Sequence, residues 1–209
     1  GAYGAFATGI GRTEAASVWA TGRMWFRVPD SIRIELSGQF RPRVSAKDLA
    51  LKIIGDIGSD GALYLSVEFT GPAAKAMPMA ERMLLCNMAA EMGAKNAVFE
   101  PDDITTSSLA GLPEFYPSRP MFADHGAAYE RVLTYDLSEI EPGLACPHSL
   151  DLFAPAREKS GTVIHQALIG TCTNGRIEDF REAAQVLKGH KVAKSVRLLL
   201  FPASMSVYR

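Results

Sequence analysis

The chain has 209 residues, 47% of them hydrophobic and 22% charged, enough for one large domain or two smaller ones around a real core. Lys and Arg total 22 against 23 Asp and Glu, and a net charge of −1 argues against a nucleic-acid or membrane partner recruited through bulk charge. No apolar run approaches a membrane span, Arg12 breaks the first stretch before it reads as a signal peptide, and three cysteines without framework spacing point to a reducing, cytoplasmic setting.

Gly1, Gly4, Gly9 and Gly11 look at first like a nucleotide loop, but no strand precedes them and Glu14 stands where the last glycine belongs. Residues 13–21 predict a short helix ended by Gly22. Residues 31–37 alternate, with Ile32, Ile34 and Leu36 on one face and Arg33, Glu35 and Ser37 on the other. Ser45 then caps a helix, with Asp48 as its capping-box partner and Ala50, Ile53, Ile54 and Ile57 as its stripe. A strand is expected over 63–69, a methionine-rich helix from Pro78 to Met92 closed by Gly93, and a short strand over 97–99. Residues 100–128 carry Pro101, Pro113, Pro117 and Pro120 among Ser, Thr and Gly, which reads as loop and as a domain boundary. Alternation resumes at 132–137.

Residues 162–169 are β-branched and apolar, the pattern of a buried strand. Ile177, Phe180, Ala184 and Leu187 then recur at helical spacing, with Thr173 or Asn174 as N-cap and Gly189 as the stop. A strand over 196–201 completes a parallel β-α-β unit. The fold class is therefore α/β. Cys172 projects from the turn between the first strand and the helix, beside free backbone N–H groups that favour a thiolate. The bland reading of a lone cysteine is a small buried hydrophobe, and Cys86 and Cys146 are left with it. His125, His148, His165 and His190 show no metal-ligand spacing.

The helix segment MLLCNMAAEM (83–92) holds two polar residues, Asn87 and Glu91, at i and i+4 on one face. A carboxylate on an apolar helix costs several kcal/mol of desolvation unless it is paired. Either this face borders solvent or an arginine such as Arg82, or it is a cleft-facing acid and amide that hold a polar substrate or an activated water.

Taken in order, GAFATGIG (4–11), SAKDLALKIIG (45–55), VEFTGP (67–72), LLCNMAAEMGAK (84–95), CPHS (146–149), IGTCTNGRIEDF (169–180) and FPAS (201–204) resemble the aconitase superfamily. The resemblance is closest to the large subunits of 3-isopropylmalate dehydratase and homoaconitase. It implies three-layer α/β/α domains: the tail of a first domain (1–28), a second domain (29–128) and part of a third (129–209). It implies a hydro-lyase that isomerises 2- and 3-isopropylmalate in leucine biosynthesis at a [4Fe–4S] cluster, or a homoaconitase or dimethylmalate-type dehydratase. Cys172 matches the first cluster ligand, Asn87 the substrate-binding amide and Glu91 the catalytic carboxylate. A small swivel-domain subunit is the expected partner in a heterodimer, and the substrate is a hydroxylated di- or tricarboxylate.

The family's Asp-Ser-His motif and its Cys-x-x-Cys are not among these 209 residues. The chain therefore reads as an inactive central piece without a cluster of its own. The rivals from other classes are a cluster-free RNA-binding protein, disfavoured by the charge, and a non-catalytic interaction domain.

Overall fold

The computed structural model describes residues 1–110, 120–171 and 173–209. The chain forms two compact units, Gly1–Ala156 and Arg157–Arg209.

The first unit opens with an N-terminal segment and α1 (Arg12–Thr21), which Gly22 ends in the left-handed conformation expected of it. Strands β1 (Ser31–Ser37), β2 (Ser66–Thr70), β3 (Asn96–Phe99) and β4 (Arg131–Asp136) make one sheet in the order β3-β2-β1-β4. All its pairings are parallel. Between β1 and β2 lies α2 (Ala46–Ile57). Between β2 and β3 lie α3 (Pro72–Ala76) and α4 (Met79–Met88), followed by a single 3-10 turn over Ala89–Met92. α5 (Asp103–Leu109) follows β3, and a hairpin of β5 (Gly143–Ala145) and β6 (Phe153–Pro155) closes the unit.

Period-2 alternation builds the core. Ile32, Ile34 and Leu36 are fully buried, with Val67, Phe69, Ala97 and Phe99 beside them, and Leu49, Ile53 and Ile54 of α2 and Leu84, Leu85 and Met88 of α4 join the same cluster. Each Leu or Ile removed from water in this way contributes about 2 kcal/mol. The alternate positions are polar: the Arg33 guanidinium lies 4.0 Å from the Tyr129 ring centroid and donates to its hydroxyl at 2.7 Å, which in turn donates to Glu68 at 2.7 Å.

α2 starts where Ser45 and Asp48 predict. Asp48 Oδ2 accepts from the Ser45 backbone N–H at 2.9 Å, and Lys47 N–H donates to Ser45 Oγ. Two details differ from the expected elements. β2 begins at Ser66, because Tyr64 adopts φ +61° and Leu63 N–H turns back to the Asp60 carbonyl, leaving Leu63 exposed. Within the proline-rich stretch, 103–109 is helical, because Asp102 caps it by accepting from Thr105 N–H at 3.0 Å. Pro113 and Pro117 lie outside the described residues.

The second unit is a β-α-β arrangement of β7 (Gln166–Gly170), α6 (Ile177–Leu187) and β8 (Arg197–Phe201), followed by α7 (Met205–Tyr208). β7 and β8 pair in parallel, as the sequence predicts, although β7 starts four residues later than the apolar run. The fold is α/β throughout, with a parallel sheet flanked by helices. The expected boundaries at 28/29 and 128/129 differ from the division at 156/157: β4 lies past residue 128 and hydrogen-bonds to β1 of the same sheet. No described helix is long and apolar enough to cross a membrane.

Candidate functional site

α4, with the 3-10 turn that follows it, carries the polar pair. Arg82, Leu85, Ala89 and Met92 form its buried stripe, each 1% exposed, and the stripe turns Asn87 and Glu91 outward beside the exposed Ala90. The two residues therefore share an exposed surface, although the helix tightens into its 3-10 turn between them. Leu84 and Met88, next to the pair along the helix, are buried. Gly93 ends the segment with φ +83°.

The N-terminal segment lies alongside. Ala7 N–H donates to the Asn96 side chain at 3.0 Å, Phe99 N–H donates to the Gly1 carbonyl, and Tyr3 Oη lies 3.8 Å from Met83 Sδ. Cys86 sits between this segment and the stripe. Burial pushes its thiol up to about 11, partly offset by the amino terminus and Arg82, so it stays protonated and is a poor metal ligand.

Arg82 is the arginine offered as one possible partner of this face. It does not serve Glu91. Its guanidinium donates to both carboxylate oxygens of Asp102, at 3.0 and 2.6 Å, and to the carbonyls of Met77 and Lys75, each at 2.9 Å. The guanidinium holds the Asp102 carboxyl below the usual aspartate range. The signal for this was present: Arg82 keeps step with Leu85, Ala89 and Met92 at spacings of three and four.

Cys172 lies outside the described residues, and its neighbours belong to the second unit. They are firmly braced. Thr171 N–H donates to the Phe201 carbonyl at 3.1 Å, and Ala203 N–H to the Gly175 carbonyl at 2.8 Å. Gly170 takes φ +125°, and a Cβ there would collide with the Phe201 carbonyl oxygen, so the strand leaves the sheet at a position only glycine fits. The expected cap, Thr173 or Asn174, is not the one used. Asp179 reaches back to accept from Gly175 N–H at 2.7 Å, Arg176 N–H at 2.9 Å and the Asn174 side chain at 2.9 Å. A carboxylate two residues inside the helix binds more of the free N–H groups than a hydroxyl before it.

Among the described residues, no three His, Cys, Asp or Glu side chains converge as metal ligands, and Cys86 and Cys146 are free thiols. These residues do not by themselves fit a three-cysteine cluster.

A parallel α/β sheet with an outward Asn–Glu pair, and a β-α-β unit whose first strand ends at Gly170, define an α/β protein. The aconitase family (aconitate hydratase) matches residues 1–209, and the chain belongs to that family. It is 47% identical over 209 residues to the probable 3-isopropylmalate dehydratase large subunit of Methanothermobacter thermautotrophicus, covering all of this chain and 50% of the relative. It is 48% identical over 211 residues to 3-isopropylmalate dehydratase large subunit 1 of Methanopyrus kandleri, again all of this chain and 50% of the relative. The probable methanogen homoaconitase large subunit of Methanosarcina mazei is 48% identical over 206 residues, 99% of this chain and 52% of the relative. The chain thus spans about half the length of these curated relatives.

Proposed function

We propose that the chain is the part of a 3-isopropylmalate dehydratase-type large subunit that carries Asn87, Glu91 and Cys172. The reaction is loss of water from a hydroxylated dicarboxylate to an alkene and its return at the neighbouring carbon, in leucine biosynthesis in the cytoplasm. The observation that carries this reading is identity of 47–48% over the full chain to large subunits of that name, together with the shared exposed surface of Asn87 and Glu91.

In this reading the Asn87 amide donates to a substrate carboxylate or hydroxyl oxygen, and the Glu91 carboxyl gives a proton to the leaving hydroxyl, which departs as water, and takes one back from the water that returns, while a base from the remaining part of the site removes and restores the proton on the neighbouring carbon. Cys172 supplies one ligand of a [4Fe–4S] cluster. The other ligands are not among these residues, and the small subunit that the relatives' names imply brings the remaining part of the site. The similarity to a homoaconitase large subunit supports a second reading, the same chemistry on a longer tricarboxylate.

The test is the complete large subunit with its small subunit, assayed anaerobically for interconversion of 2- and 3-isopropylmalate. Glu91→Gln is expected to keep the cluster's absorbance and lower turnover about 10²–10⁴-fold. Cys172→Ser is expected to abolish the cluster absorbance. Normal turnover in Cys172→Ser sinks the proposal, and activity on homoaconitate alone selects the second reading.

A further inference from the structure

The carboxyl end of a parallel sheet is where α/β proteins open a ligand crevice, most often where the strand order reverses. Here that point lies between β1 and β4, and it is filled from within. The Asp136 carboxylate packs against Gly38 and accepts from the Ser138 N–H at 2.8 Å and its hydroxyl at 2.6 Å. The open space lies instead at the carboxyl ends of β2 and β3. Two cavities of 260 and 420 Å³ meet there, sharing Thr70, Lys75 and Glu100. Asn87 and Glu91 are at the other end of the sheet, beside the residues that lead into β3.

The smaller cavity is lined by Phe69, Ala74, Phe99 and Pro101. The Phe69 and Phe99 rings stack at 5.1 Å, giving this half a rigid apolar wall. The charges around the cleft sort themselves by elimination. Arg82 and Asp102 neutralise each other. In the larger cavity, Arg33 and Glu68 are joined directly at 3.5 Å and through the Tyr129 hydroxyl. What remains is one cation and one anion, Lys75 and Glu100, both on the boundary the two cavities share. Among the described residues neither side chain has a hydrogen-bond or ion-pair partner, and they do not pair with each other.

We infer that this cleft binds a free α-amino acid with an apolar side chain: its carboxylate at Lys75, its ammonium at Glu100 and its side chain against the wall that Phe69, Phe99 and Pro101 form. A single cation and a single anion at the mouth of an apolar hole match a zwitterion. They disfavour a simple dicarboxylate, whose second charge would face Glu100. The site is separate from Asn87 and Glu91, so a ligand there acts on the protein from outside the proposed reaction centre.

Calorimetric titration with L-norleucine tests this, with hexanoate and pentylamine as the same chain lacking the ammonium or the carboxylate. L-norleucine is expected to bind at least about tenfold tighter than either, each lost charge-assisted contact being worth about one decade. Lys75→Met is expected to reduce L-norleucine binding by about the same factor and leave pentylamine unchanged, and Glu100→Gln to do the converse with hexanoate. Lys75 is exposed and Glu100 half-buried, and an unchanged thermal midpoint in each variant shows that the fold is kept. Equal affinity for hexanoate and L-norleucine, or no heat from L-norleucine, overturns the assignment.

Discussion

A buried guanidinium that makes four hydrogen bonds is a strong local constraint, and Arg82 is one. It ties the end of α3, the body of α4 and the cap of α5 together, because Asp102 is both its ion partner and the acceptor for Thr105 N–H. Arg82→Met is expected to lower the stability of the first unit by about 3 kcal/mol in urea denaturation at neutral pH, since it strands the carboxylate and two carbonyls. The pH dependence has a definite sign. Asp102 titrates below its ordinary value in the folded state, so its contribution is present at neutral pH and disappears as pH falls through and below the usual aspartate range. The acid-side loss of stability should therefore be shallower in Arg82→Met than in the parent. Asn87 and Glu91 are exposed, and that they break an apolar pattern was legible. The partner of Arg82 was not, because Asp102 lies twenty positions away across a strand and pairing at that range leaves no periodic trace.

At the scale of elements, the ends tell more than the middles. Asp48 serves two purposes: one oxygen caps α2 and the other accepts from Gly143 N–H at 2.9 Å, anchoring β5 to the helix start. Ser45→Ala is expected to cost about 1 kcal/mol, and Asp48→Ala about 2 kcal/mol because the β5 tie goes with the cap. Equal losses in thermal or urea unfolding would show that the Gly143 contact contributes nothing. β1, α2 and α4 were readable because one face of each is fully buried, which enforces the period. α5 was not, since its Thr and Ser residues have weak helix preference and the helix rests on the Asp102 cap. The start of β7 was misplaced for a related reason: Val163 and Ile164 are apolar but exposed, at 77% and 53%, so hydrophobicity there does not report pairing.

Across the whole molecule, burial is uneven. Among the described residues the buried apolar side chains lie between Ala2 and Ala154, and α6 and β8 of the second unit contain none. Hydrogen exchange should reflect this, with amides of β1 and β2 protected far longer than those of β7 and β8. Comparable protection in the two units would mean that the second is held by more than its own packing. Domain organisation was the least legible level. A proline-rich stretch looks alike whether it separates two domains or carries the chain across a single sheet, and here the strand that follows it returns to the sheet that precedes it.

That return has a kinetic consequence. β2 and β3 each follow their neighbour in sequence, whereas β4 must find the far side of β1, closing a loop of roughly a hundred residues between Ile32 and Arg131. Three strands and their helices can condense without it, because the fully buried residues of the sheet come from β1, β2 and β3. β4 therefore adds late, onto a β1 edge that stands open while the rest is already native. For that interval, the exposed edge rather than any cleft is where a nascent chain is most open to pairing with another.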